Sequence, residues 1–305
     1  MKAIIGYIKW WFYETDKRVL AIISILTGLL IWANYHFGID RQISASESFL
    51  CRFLSRAMIF ATAFGLSYLA TCLITGRNYF NRVGFIVLLF IAPLIFSFKA
   101  ALNPSFHISG VWTTANFWDH VFYWPFLLVI TAAILFIIWK IFDADQPFYG
   151  IKTKNMDWRP YLLMLLIMVP LIAAASTQPD FLAMYPKLKL ITDVSVVNRL
   201  TWWQKFLFEL SYGSDFITIE LFFRGFLIVA FLKWAGKDAI LPMACFYCTI
   251  HFGKPLGECI SSYFGGMILG IVVYHTRSIL GGLMVHLGIA WMMEIGGYIG
   301  NAFKS

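Results

Sequence analysis

Glu220 and Arg224 stand one helical turn apart in FITIELFFRGFLIVAFL, a run that otherwise reads as a membrane span. A charge at mid-bilayer costs about 2.5–3.5 kcal/mol on insertion scales, so two of them need a purpose. The i, i+4 spacing lets them pair on one helix face, and that face must meet protein or water rather than lipid. His251 and His286 follow on two later apolar runs. A carboxylate and an imidazole held together are the parts of general acid–base chemistry: one takes a proton from water, the other accepts or relays it. Donors aimed at a developing oxyanion would add a few kcal/mol. The same two histidines are the candidate ligands if a zinc ion is bound.

Other acids fall in the same part of the chain. Glu258 and Glu294 are unusually placed and stand as accessory acids; a proton-coupled solute carrier using these two is an alternative reading. Glu258 also reads as a first-turn acid favoured by the helix dipole. Asp215, after Gly213-Ser214, reads as the cap of a helix restart, and Glu209 as an acid facing interfacial water. The Gly265-Gly266 and Gly281-Gly282 pairs read as points of close helix packing.

The elements that must position these residues follow from composition. The 305 residues are 60% hydrophobic and 13% charged, with a mean hydropathy of +0.74. Unbroken apolar runs of about 18 residues or more give an all-α, polytopic transmembrane helix bundle rather than an outer-membrane barrel. Nine candidate spans, about 19–37, 57–75, 83–103, 122–142, 160–177, 207–232, 238–252, 256–275 and 279–299, set the total at eight or nine. The seventh is short and is tilted or partly sunk in the bundle. At about 1.5 Å per residue, Glu220, Arg224, His251 and His286 lie about 10 to 20 Å from the same side, close enough to converge.

The net charge of +8 is the basic excess that orients membrane proteins and meets anionic lipid, not a nucleic-acid footprint. Basic residues favour a cytoplasmic N-terminus in an inner membrane, and 104–121 holds neither Lys nor Arg, as an outer loop should. Lys99 reads as snorkelling from a span end. Residues 1–160 form the N-terminal helices, 161–204 a fifth span and interfacial linker with Trp202 and Trp203 as belt residues, and 205–305 the core that carries the ionisable groups. Cys51, Cys72, Cys245, Cys248 and Cys259 are odd in number and give no disulfide framework; Cys245-x-x-Cys248 reads as packing.

The order of these motifs resembles the CPBP family of type II CAAX prenyl proteases and Abi-like membrane proteins. Ile219-Glu220-Leu-Phe-Phe-Arg224 stands for its E-E-x-x-x-R, Tyr247-Cys-Thr-Ile-His251 for F-x-x-x-H, and His286-Leu-Gly-Ile-Ala290 for H-x-x-x-N. The resemblance covers about 205–295. It implies an intramembrane endopeptidase acting on a membrane-anchored peptide, with Glu220 and His251 handling the water, His286 the oxyanion, and Arg224 holding Glu220. Both glutamate-base and metal-assisted descriptions are used for the family. The departures are Ile219 for the first glutamate and Ala290 for the asparagine. A relative that kept the bundle without catalysis, an immunity or scaffold factor, is the alternative.

Overall fold

In a computed structural model the chain is helical, and residues 2–106, 112–152, 157–191, 197 and 199–303 are described. Among them there is no strand. In chain order the helices are α1 (Lys2–Glu14), α2 (Lys17–Phe37), α3 (Ile39–Ala45), α4 (Phe49–Thr75), α5 (Val83–Ala101) and α6 (Trp112–Phe142). Then come α7 (Arg159–Ala175), α8 (Pro179–Met184), α9 (Leu188–Ile191) and α10 (Trp202–Ile219). A π-helix (Glu220–Ala230) leads to α11 (Leu232–Ala235), α12 (Ile240–Thr249), α13 (Leu256–Thr276) and α14 (Leu280–Ala302). Parts of the 178–204 linker, 192–196 and 198, lie outside the described residues.

Among the described residues six helices are long and apolar enough to cross a membrane: α2, α4, α5, most of α6, α13 and α14. α7 is a shorter apolar helix. Its Leu166, Ile167 and Leu171 are exposed, as are Ile25, Leu29 and Trp32 of α2. Such apolar surface suits lipid rather than water.

Helix ends follow local chemistry. Asp16 caps α2 by accepting the Arg18 backbone N–H, and Ser48 caps α4 by accepting that of Cys51. Gly38 and Gly76 end the same helices at φ 63° and 70°, where a side chain would be strained. Thr201 and Gln204 close a capping box at α10.

Three readings change. α6 starts at Trp112, so much of the expected outer loop 104–121 is helix. The seventh apolar run is the ten-residue α12, every residue of it buried. A helix of that length belongs to a protein core and is too short to span. Lys99 is buried in α5 with its ammonium 5.1 Å from the Phe96 ring centre, instead of reaching for an interface.

The chain forms two compact units, each gathered from three stretches. The first comprises 1–102, 134–152 and 221–279. There α4 packs on α5, and α12 packs on α2, α4 and α13. Its core is aromatic. The Phe96 ring lies 4.9 Å from both Phe222 and Phe223, and Phe223 meets Phe246 at 5.2 Å. Tilted and edge-to-face pairs of this kind add about 0.5–1.5 kcal/mol each beyond their buried area.

The second unit comprises 103–133, 153–220 and 280–305. α14 packs on α7, α8 and α10. Phe117, Trp124, Phe208, Tyr212, Phe216 and Ala290 share one core cluster. The Ser211 hydroxyl ties α10 to α6 by donating to the Val121 carbonyl at 2.6 Å.

Candidate active site

Glu220 begins the π-helix, and Arg224 lies within it. An α-helical turn was expected over ELFFRGFLIVA; the i→i+5 pattern instead changes which residues share a face. Such stretches are rare and concentrate at functional sites. Both side chains are fully buried.

In the second unit, Glu220 meets His286 of α14. The His286 Nδ1 lies 3.0 Å from Glu220 Oε1. An ionised carboxylate only accepts, so the ring nitrogen donates. The ring is also packed edge-on against Phe216, centroids 4.8 Å apart. Gly282, one turn before His286, leaves the room the carboxylate needs: a Cβ there would lie 2.7 Å from Glu220 Oε2. Gly281 makes the corresponding space for the Tyr161 ring. Ala290, at the family's asparagine position, is buried within the aromatic cluster around Phe216.

In the first unit, Arg224 lies over Tyr247, its Cζ 4.1 Å from the ring centre. Tyr247 is held by Phe223 at 5.1 Å, and by Gly266, where a Cβ would come within 2.8 Å of the ring. Gly265 has open space beside it, so only the second glycine of that pair is a packing device. His251, just past α12, sets its Nδ1 3.1 Å from the Tyr247 carbonyl oxygen. A carbonyl cannot donate, so Nδ1 carries the hydrogen and Nε2 presents a lone pair. Gly225 allows another close approach, with a Cβ there 2.7 Å from the Tyr149 carbonyl oxygen.

The accessory acids have structural work. Glu258 is in the first turn of α13, as read, and pairs with Lys254 at 3.2 Å. Glu294 is 2% exposed, and its Oε2 accepts the Lys187 backbone N–H at 2.8 Å, fastening the linker to α14. Asp215 lies inside α10 and caps nothing. Glu209 does not face water: both carboxylate oxygens are buried and, among the described residues, have no hydrogen-bond partner. Cys245 and Cys248 are buried as expected, yet the thiol nearest Cys248 is Cys259, Sγ to Sγ 3.8 Å.

Among the described residues no three His, Cys, Asp or Glu side chains gather as a metal ion's ligands would. A structural zinc site takes four ligands and a catalytic one three. Among the described residues the two histidines alone fall short of such a ligand set.

Comparison with known proteins agrees with the motif order. Residues 201–292 match the family model of the type II CAAX prenyl endopeptidases, Rce1-like. This segment belongs to the CPBP family. With its apolar helices the chain is a multi-pass membrane protein, and the matched segment is of the CAAX-protease type. No curated protein and no solved structure matches it. The CPBP segment runs from the capping box of α10 to Met292 of α14, so it includes Glu220, Arg224, His251 and His286.

Two parts of this arrangement left little trace in sequence. Tyr247 was legible as a motif position, but not as the platform for Arg224. Gly282 was legible as a packing glycine, but not as the space for Glu220.

Proposed function

We propose that this CPBP protein is an intramembrane endopeptidase, cleaving membrane-anchored peptides with water activated by Glu220. The observation that carries the reading is the 3.0 Å contact between the fully buried Glu220 and His286. A carboxylate deep in an apolar helix is costly, and pairing it with an imidazole gives a base whose charge has a local partner. Glu220 accepts a proton as the water attacks the scissile carbonyl, and later returns it to the leaving amine. His286, anchored through Nδ1–H, orients the Glu220 carboxylate, and the family resemblance gives it the oxyanion as well. The family resemblance assigns His251 to the water as well, and with the hydrogen on Nδ1 its Nε2 has the character of an acceptor. Arg224 is a positioning residue, buried and stacked on Tyr247.

The match to prenyl endopeptidases makes lipid-bearing peptides the first substrates to try. Purified protein in nanodiscs is given a panel of membrane-anchored fluorogenic peptides, with and without a prenylated cysteine. Wild type is expected to cleave at least one, and Glu220→Gln and His286→Ala to lose that cleavage while eluting and melting as folded protein. Folded variants that cleave as fast as wild type would sink the reading. So would wild type that cleaves none of the panel, which favours the non-catalytic relative.

A further inference from the structure

The loop 250–255 joins α12 to α13 within the first unit and carries His251 near its start. Outside a helix, its carbonyls need partners from elsewhere. Two of them find partners far back in the chain. The Asn34 amide nitrogen donates to the Phe252 carbonyl at 3.0 Å, and the Tyr35 hydroxyl donates to the Lys254 carbonyl at 2.5 Å. Inside the loop, the Lys254 N–H returns to the His251 carbonyl at 2.9 Å. What holds Phe252 and Lys254 therefore holds the backbone of His251.

Both donors sit on a tight elbow. Asn34 and Tyr35 lie in the last turn of α2, Gly38 turns the chain at φ 63°, and α3 begins at Ile39. The turn brings the Asp40 N–H back to the Asn34 amide oxygen at 2.9 Å. One side chain, 3% exposed, is thus engaged at both ends, by the elbow through its oxygen and by the loop through its nitrogen. A buried amide satisfied on both sides has one orientation and loses much by leaving it. Asp40 also lies against the loop at Gly253, where a Cβ would come 2.7 Å from its Oδ2. Asn34, Tyr35 and Asp40 all precede residues 201–292, so the family match carries no trace of them.

We infer that the α2–α3 elbow is a clamp that sets the position of His251, with Asn34 and Tyr35 as positioning residues. The clamp acts on the rate only under the endopeptidase reading above, on which it rests, where His251 serves the attacking water. The His251 ring is pinned from its own stretch by the Tyr247 carbonyl, 3.1 Å from Nδ1. Its backbone is pinned through the loop by α2, so the place the ring reaches depends on both. Misplacing a reacting group by about 1 Å can cost about 10²-fold in rate. The helices before the CPBP segment thereby take part in the chemistry without touching the substrate.

The test pairs the nanodisc assay, on a peptide that wild type cleaves, with backbone hydrogen exchange read by mass spectrometry. Tyr35→Phe removes one hydroxyl from a partly exposed ring, and Asn34→Leu removes both bonds of the buried amide. Turnover is expected to fall about three- to tenfold in Tyr35→Phe and about ten- to hundredfold in Asn34→Leu, with KM within about twofold of wild type. Exchange is expected to quicken in 250–255 and to stay as in wild type through the rest of the unit. Should Asn34→Leu fail to fold, Tyr35→Phe alone decides. Wild-type kcat in Tyr35→Phe, a raised KM at unchanged kcat, or quickened exchange across the whole unit would each overturn the clamp. A wild type that cleaves no peptide fails the endopeptidase reading instead. Exchange then judges the clamp, which falls if 250–255 exchange in Tyr35→Phe as they do in wild type.

Discussion

The two motif histidines are anchored in the same way and to opposite effect. Each gives its Nδ1 to an oxygen. For His251 the oxygen is the carbonyl of Tyr247, four residues earlier in the same stretch, at 3.1 Å. For His286 it is the Glu220 carboxylate, on another element, at 3.0 Å. A carbonyl fixes a tautomer and can do no more, while a carboxylate can exchange a proton with the ring. The cation is arranged differently again: Arg224 stacks on an aromatic face that Phe223 and Gly266 hold in place. The contacts thus suit the Glu220–His286 pair to proton traffic, under the proposed function, and the Arg224–Tyr247–His251 group to rigidity.

The largest effect expected from this division is on turnover. Glu220→Gln keeps the shape and a hydrogen bond but cannot take a proton, and should lower peptidase turnover by about 10²- to 10⁴-fold. Its melting temperature should stay close to wild type. A variant that keeps most of its turnover would break the comparison, because the carboxylate would then be an anchor like the carbonyl.

How much of this was readable in the residues varies from place to place. Glu220, Arg224, His251 and His286 stood out because charge and imidazole are expensive in apolar runs. The π-helix did not, since ELFFRGFLIVA is apolar nearly all round and offers no period to distinguish one winding from another. The run 238–252 looked like a span because composition cannot separate a bilayer helix from one buried in protein; the ten residues of α12 decide it. α6 outruns its apolar stretch because TTANFWDH is helical without being hydrophobic. Glu209 and Glu294 were misjudged or unexplained for a shared reason: their surroundings come from distant segments, such as Lys187 against Glu294. Sequence spacing carries no record of those encounters.

The next effect in size is on stability and concerns the rigid group. Arg224→Met removes a fully buried cation and its stacking on Tyr247. Breaking a buried charge arrangement from one side typically costs about 3–5 kcal/mol. Tyr247→Leu should cost about 2–4 kcal/mol through lost ring contacts, and Tyr247→Phe less than about 1 kcal/mol, because the platform survives. Thermal unfolding in detergent, followed by circular dichroism, reads all three. A Tyr247→Leu protein as stable as Tyr247→Phe would show that the ring is no platform.

Two glycines give the finest discrimination, because the same added methyl meets opposite kinds of neighbour. At Gly225 a Cβ would come 2.7 Å from the Tyr149 carbonyl oxygen, and at Gly282 2.7 Å from Glu220 Oε2. The first obstacle is backbone and cannot step aside, so Gly225→Ala should destabilise by about 1–3 kcal/mol, as overpacking does. The second is the tip of a side chain, which can rotate at little cost. Gly282→Ala should therefore melt within a few degrees of wild type, yet lose turnover, because the carboxylate that rotates is the one bonded to His286. Measured together, melting and turnover should separate the two variants in opposite directions. If Gly282→Ala instead loses stability and keeps its rate, Glu220 is held for the fold rather than for the water.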